Sequence, residues 1–561
     1  MGEDLGPVRL RESQQKGRHL VAGPAFLPGA VVLSRAPYQA VLYDDQVPRR
    51  CGFCFRAGAG LRRCGRSKFA RYDSLDHQRR DWEDGYREEC AALRRVAPRV
   101  PPATVRLAAR VFWKRMRQAR EGEVEDKWDA SEAIDGLTSH WEKIDNKRKV
   151  MYAQMAVTTR EFMRAAMQGT DESALPEVKE IALMLARFAC NNHTICDDEQ
   201  SPVGVGIYPL MALVNHSNTP NCVQAYKGKQ LEFRAVRRIE PGEEVTISYI
   251  DLLSTHQERR EALMHNYFFD IDEVQRPVSA SPEVGKNSLE KTWLLDGRRV
   301  ALTVHGRNDG YWKNADTTDR ALTEILFDNG KERVQLGGLM ALMKTNDDDS
   351  YGHDEPDNGA SRGDSLEHGD EDDDYVAVDM WGPRLHDIDA SHLESIACQA
   401  ASLVIMLRRG DALTKRQDFR AAMRALSTVR DLASGPLFPS YFLGPCHILQ
   451  VEAAKKFLRA AMDEGSSWEA ALQSARFLKA PYSKVYPSVW PNMGLHWAIM
   501  AKLELFCGDP AVAARIADKG ARVLQITHGD SSVLEDALRL RYDAERCLAE
   551  AKRSEDDEVD C

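Results

Sequence analysis

Leu213-Val214-Asn215-His216-Ser217-Asn218-Thr219-Pro220-Asn221-Cys222 and Gly242-Glu243-Glu244-Val245-Thr246-Ile247-Ser248-Tyr249-Ile250-Asp251 are the two strings that decide how this chain is read. Taken alone, Asn-His-Ser ahead of Thr-Pro-Asn is a polar turn, because Asn and Ser side chains bond their own backbone and Pro presets the bend. Between the strings, residues 231–236 and 245–250 are β-rich, and Pro241-Gly242 supplies the turn that joins them. Residues 203–250 therefore read as strands and turns.

Upstream, Val31-Val32-Leu33 follows Pro28-Gly29, and Ala40-Val41-Leu42-Tyr43 follows Pro37, which marks two short strands in the first 48 residues. Residues 49–90 contain cysteines and many arginines. Residues 102–190 carry helical spacing, in Val105–Phe112 and again in Ile181–Ala186. Downstream, residues 346–374 hold thirteen Asp or Glu and one Arg. Such a segment has too little apolar surface to order itself, and a solvated linker is the expectation, with an acidic arm for a basic partner as the alternative. From about residue 391 the pattern is helical, and Leu503–Phe506, Gly508-Asp509-Pro510 and Ala511–Ala514 read as helix, turn, helix, the unit of tetratricopeptide-like stacks.

Bulk properties exclude some functions. The 561 residues carry a net charge of −10, which argues against a chain built to coat nucleic acid. No run reaches the roughly 18–20 apolar residues of a membrane helix. Twelve scattered cysteines fit a reducing compartment, so cytosol or nucleus is expected.

The two opening strings resemble the SET domain, and more closely its SMYD subfamily, in which a MYND zinc module interrupts the SET fold. The resemblance implies an α+β chain: a β-rich SET fold with a pseudoknot-like crossing, broken by a small MYND-type module and a helical SET-I insert, then an α-helical TPR-like C-terminal domain. The expected divisions are 1–48 for the N-terminal part of SET, 49–90 for the module, 91–190 for the SET-I region and 191–252 for the core. Residues 253–280 would be a post-SET segment, 281–390 an insert, and 391–552 the helical domain. Gln525-Ile526-Thr527-His528-Gly529 with Leu534-Glu535-Asp536 resembles the closing helices of that domain, which walls the substrate groove in the family.

The activity implied is S-adenosylmethionine-dependent methylation of a protein lysine. Methyl transfer from a sulfonium is an in-line displacement that needs positioning. A narrow apolar channel lowers the lysine pKa by desolvation. The polarised methyl donates weak C–H···O contacts, and Tyr249 is the candidate hydroxyl to receive one. By resemblance, Asn215, His216, Asn191, His140, Gly17 and Arg18 contact the donor, with Phe269 closing the channel. Gly17-Arg18-His19-Leu20 aligns with a Gly-x-Gly-Leu loop, so His19 replaces a glycine and is expected to strain or crowd it.

Residues 51–90 resemble the MYND finger with part of its ligand set gone. One zinc would use Cys51, Cys54, Asp73 and His77, a mixed set that tetrahedral zinc accepts. A second would have Cys64 and Cys90, with Ser67 in a ligand place and no clear fourth donor. A metal-free module held by Phe53, Phe69, Tyr72 and Trp82 is the alternative. The family's post-SET zinc would need cysteines where Asn218, Ile271, Glu273 and Arg276 stand, so no post-SET zinc is expected. The partners implied are a lysine-bearing protein substrate and proteins bound by the module surface and the helical domain. The competing class is a SET–MYND scaffold without turnover; a nucleic-acid reader using Arg62–Arg87 is weakened by Asp76, Asp81, Glu83 and Asp84.

Overall fold

The computed structural model describes residues 3–122, 124, 126–167, 174–254, 256–270, 403, 406–434, 441–443 and 448–559, together with short strands between 294 and 345. The acidic stretch 346–374 and the positions Ile271, Glu273 and Arg276 lie outside the described residues.

Alternating burial builds the N-terminal half from small sheets. Strands β1 (Glu3–Asp4), β2 (Val8–Ser13) and β3 (Gly17–Ala22) form one antiparallel meander. Strand β4 (Val31–Arg35) joins the later hairpin of β11 (Cys222–Lys227) and β12 (Gln230–Ala235) in the order β11-β12-β4. In β12 the inward residues Leu231, Phe233 and Ala235 are fully buried while their neighbours are half-exposed, the period-two pattern of a one-sided strand. A third sheet has the order β5-β9-β8, from Gln39–Leu42, Pro202–Ile207 and Asn192–Cys196. The last pair is parallel, β10 (Asn215–His216) beside β13 (Thr246–Ile247).

Two elements interrupt this β framework. Residues 49–96 form the module, with the two-residue strands β6 (Arg62–Arg63) and β7 (Arg71–Tyr72) and helices α1 (Leu75–Asp81) and α2 (Arg87–Val96). Ser74 caps α1 by accepting the His77 amide at 3.1 Å. The second insert holds α3 (Ala103–Glu121), the short α4 (Ser131–Asp135), α5 (Asn146–Ala166) and α6 (Val178–Asn191). Asp145 caps α5 through the Arg148 amide at 2.8 Å.

A buried polar network welds the module to α3. Asp81 and Glu89 are 0% and 1% exposed. Arg110 reaches Asp81 at 3.0 Å and Glu89 at 2.5 Å, while Tyr72 donates to Asp81 at 2.7 Å. Arg106 adds Asp44 at 2.6 Å and the Leu42 carbonyl at 2.7 Å. Buried charges survive only when paired and hydrogen-bonded, and these are.

After α7 (His256–Tyr267) the described chain resumes as helices: α8 (Phe419–Ser434), α9 (Ile448–Glu464), α10 (Trp468–Val485), α11 (Pro491–Cys507), α12 (Pro510–Thr527) and α13 (Ser532–Val559). The last helix runs past residue 552. Asp509 caps α12 and Pro510 fills its first position, the arrangement a Gly-Asp-Pro break favours. Leu252 and Leu253, just after the Tyr249 strand, are buried within the helical core beside Leu449, Tyr486 and Trp497. Ser532 and Arg234 tie the two halves elsewhere, through Asp198 at 2.7 Å and the Ile526 carbonyl at 3.1 Å. No described helix is long and apolar enough to cross a membrane.

Candidate active site

The centre forms where β10 and β13 run side by side, in the register Asn215↔Thr246 and His216↔Ile247. Parallel neighbours need a crossover. Here the β11–β12 hairpin and a turn at Glu240–Glu243 supply it, with Gly242 at φ +81°, a value glycine adopts freely, and the Glu243 amide bonded to the Glu240 carbonyl at 3.0 Å. The Ser217 amide extends the ladder to the Ile247 carbonyl at 2.8 Å.

Asn221 braces the crossing from inside. It is 1% exposed, accepts the Thr246 amide at 2.8 Å and donates to the Glu244 carbonyl at 2.7 Å. Both ends of its amide are satisfied, as burial requires. The Asn215 side chain donates to Glu244 at 3.0 Å and to the Lys16 carbonyl at 3.2 Å, which knits β10 to the β2–β3 turn.

His216 accepts the Tyr249 backbone N–H at Nδ1, 3.1 Å away. The ring proton therefore sits on Nε2, which donates to Asn218 Oδ1 at 3.3 Å. Burial pushes the imidazole pKa down to about 4, so the ring is neutral at physiological pH. The Tyr249 hydroxyl donates to the Val214 carbonyl at 2.6 Å. Its single proton is committed there, and the remaining lone pairs of its oxygen can only accept. Burial also raises the phenol well above its ordinary pKa. Around it stand Tyr267, ring centroids 4.7 Å apart, and Phe269, edge-on at 6.4 Å.

The remaining residues expected to hold the donor gather around the loop 136–140. Arg18 donates to the Gly136 carbonyl at 2.7 Å, and Asn191 to the Thr138 carbonyl at 2.8 Å. His140 adopts φ 50° and lies against Phe268, itself at φ 63°, with ring centroids 4.9 Å apart. Positive φ in two bulky residues is strain, and strain of this kind concentrates at functional sites. Gly17 opens β3 at φ +62° with open space where a side chain would stand. His19 does not strain this loop, contrary to expectation. The positive φ belongs to Gly17, while His19 lies buried in β3 with Nδ1 3.0 Å from the Gly17 carbonyl.

Beside Tyr249 opens a cavity of about 370 Å³, lined by Tyr249, Tyr267, Val214 and Asn191 among others. Gly17, Arg18, His140, Asn215, His216 and Phe269 are not in its lining. The centre thus has a cavity lined by Tyr249, Val214 and Asn191, while the other residues expected to hold the donor lie outside its lining. Tyr267, Phe268 and Asn221 were not singled out from sequence. An aromatic cluster at residues 267–269 was the available signal for the first two.

In the module, Cys51, Cys54, Asp73 and His77 converge, their donor atoms within 4.8 Å of one another. Cys54 Sγ lies 3.3 Å from Asp73, and His77 Nδ1 2.6 Å from the same carboxylate. Two sulfurs, one imidazole nitrogen and one carboxylate oxygen at such spacing fit a tetrahedral zinc. Among the described residues no second group of three or more such donors forms. Cys64 and Cys90 are free thiols that hydrogen-bond each other, and the Ser67 and Tyr86 hydroxyls share a hydrogen bond at 2.6 Å. The Tyr86 hydroxyl also accepts the Ala70 amide at 3.1 Å.

Comparison with known proteins agrees with this geometry. The SET domain family model matches residues 17–250, the interval that contains the crossing. The chain is 25% identical over 543 residues to the histone-lysine N-methyltransferase ASHR1 of Arabidopsis thaliana, covering 96% of this chain and 95% of that one. It is 37% identical over 257 residues to mouse SMYD3, a histone-lysine N-methyltransferase, across 46% of this chain and 58% of SMYD3. Over 290 residues it is 34% identical to human SMYD2, an N-lysine methyltransferase, across 52% of this chain and 64% of SMYD2. The match thus spans about three-fifths of these two relatives. The crossing of Asn215–Ser217 with Thr246–Tyr249 inside that interval makes the chain a SET-domain protein. Over that interval it is similar to the SMYD methyltransferases just described.

Proposed function

We propose that this protein is an S-adenosylmethionine-dependent protein-lysine N-methyltransferase whose acceptor channel passes Tyr249. One observation carries the reading. A part-buried hydroxyl, its proton already given to the Val214 carbonyl, stands between aromatic walls at the edge of a cavity. S-adenosylmethionine, when bound, supplies an electrophilic methyl group. Gly17, Arg18, His140, Asn191, Asn215, His216 and Phe269 fit its binding, because Gly17 leaves open space and the side chains of Asn215, Arg18 and Asn191 are spent on fixing the backbone around it. The chain's own work is positioning. Tyr249 and Tyr267 strip water from the lysine amine, which favours its neutral, nucleophilic form. The Tyr249 oxygen accepts a weak C–H contact as charge shifts during transfer. The Asn221 brace and the His216–Tyr249 bond hold that oxygen in place, and orientation is the main contribution such a displacement needs.

The same reading gives the module one zinc on Cys51, Cys54, Asp73 and His77. It gives the chain a lysine-bearing protein substrate and protein partners at the module and helical domain. Its scattered cysteines support residence in cytosol or nucleus. Calorimetric titration of S-adenosylmethionine into the full chain tests the centre, with methyl incorporation into a mixed protein extract as the second readout. Absence of donor binding at millimolar concentration overturns the proposal. Binding without incorporation favours a scaffold that has lost turnover.

A further inference from the structure

The cavity beside Tyr249 has one charged group in its lining. Among its lining residues Asp251 is the only Asp, Glu, Lys or Arg. The one imidazole there, His193, is buried, bonded to Gln224 at 2.9 Å, and neutral. The rest is amide, hydroxyl, thiol and apolar surface. Asp251 follows Tyr249 by two residues, so it stands at the same wall.

Its carboxylate is fixed on one side only. Oδ1 accepts the Leu253 amide at 3.0 Å and the Tyr486 hydroxyl at 3.1 Å. Tyr486 is itself buried and takes a hydrogen bond from Asn492 at 3.1 Å. Oδ2 makes no ion pair or hydrogen bond with any described residue, and Asp251 is exposed. A carboxylate held by two donors, with no cation beside it among the described residues, is free to meet a cation that enters. A carboxylate already fixed in position by two donors loses little freedom when it binds a cation.

We infer that Asp251 forms a subsite for a second cationic side chain of the protein substrate, an Arg or Lys flanking the target lysine. The inference rests on the acceptor reading of the Tyr249 cavity and names the substrate class it selects. Arg suits the position well, since its fork donates two parallel hydrogen bonds to a carboxylate and stays charged at every pH of interest. Tyr267 and Tyr249 keep the target amine; Asp251 would fix the register of the peptide relative to it.

The test measures binding as well as turnover. Fluorescent peptides with one central lysine carry Arg or Gln at each flanking position in turn, and anisotropy gives Kd for the full chain and for Asp251→Asn. Asn keeps an oxygen for Tyr486 and for the Leu253 amide, so the anchoring survives and only the charge is lost. The expected result is about tenfold tighter binding of Arg over Gln at one flanking position, a preference that Asp251→Asn erases and high salt weakens. Equal affinity for Arg and Gln at every position overturns the inference, as does a preference that persists in Asp251→Asn, or no binding of any peptide. Methyl transfer to the same peptides separates the two claims. Transfer without an Arg preference removes the subsite alone; an Asp251-dependent preference without transfer keeps the subsite and removes the enzymatic reading.

Discussion

The backbone N–H of Tyr249 is bonded to Nδ1 of His216 at 3.1 Å, so Tyr249 is held by the ring of the other motif string. This bond exists only while Nδ1 is unprotonated. His216→Ala leaves a part-buried amide without its acceptor, which costs about 1–3 kcal/mol. Methyl transfer is expected to fall at least about tenfold, since misplacing a positioning group is costly in rate, and thermal melting should show a smaller loss. A variant with unchanged transfer would mean that another group positions Tyr249.

Tyr249→Phe keeps the ring packing against Tyr267 and Phe269 and removes only the oxygen. Loss of one preorganised transition-state contact typically costs on the order of a hundredfold in kcat. Donor affinity should change little, so calorimetry and turnover are expected to part company in this variant.

Metal content separates the two thiol groups of the module. Elemental analysis of the purified chain is expected to find one zinc. Cys51→Ser should abolish it and Cys64→Ser should not, because Cys64 pairs with Cys90 while Ser67 and Tyr86 bond each other. Two or three zincs per chain would show that hydrogen bonds do not replace the second metal.

Arg110→Met tests the weld between module and α3. It strands the buried Asp81 and leaves the buried Glu89 only the longer Arg106 contact at 3.4 Å. Breaking a buried pair from one side costs about 3–5 kcal/mol. A urea midpoint shift worth less than 1 kcal/mol would show that water reaches these carboxylates.

Acid should weaken the fold before it protonates the carboxylates. His193, His216, His496 and His528 are each pushed down to about 4 by burial. An unfolded histidine takes its proton near 6.5. Stability from these groups is therefore complete above that pH, declines as pH falls from 6.5 towards 4, and levels off below. Between pH 6.5 and 5 each group accounts for roughly 2 kcal/mol at most. Chemical denaturation at pH 7 and pH 5 checks this.

Much of the centre was legible because its parts are contiguous in sequence. Asn215-His216-Ser217 and the string ending in Tyr249 each carry several site residues within one turn or strand, and Pro241-Gly242 announces the turn between them. Asn221 was harder to recognise. An asparagine after Thr-Pro looks like one more turn residue, and its role depends on Glu244 and Thr246 arriving from another strand. Arg106 and Arg110 were invisible for the same reason. In a helix they read as solvated residues, and only the approach of Asp81 and Glu89 from the module makes them internal. The strain expected of His19 is absent because the special backbone sits two residues earlier. Gly17 takes the positive φ, and the histidine beyond it needs none.

Leu252 and Leu253 leave the Tyr249 strand and enter the core of the C-terminal helices. Packing of those helices and ordering of the segment after Tyr249 are therefore coupled across two halves of the chain. By mass action, whatever binds at Tyr249 also protects helices that never touch it. By reciprocity, a partner that grips the helical domain retunes affinity at the centre by the same factor.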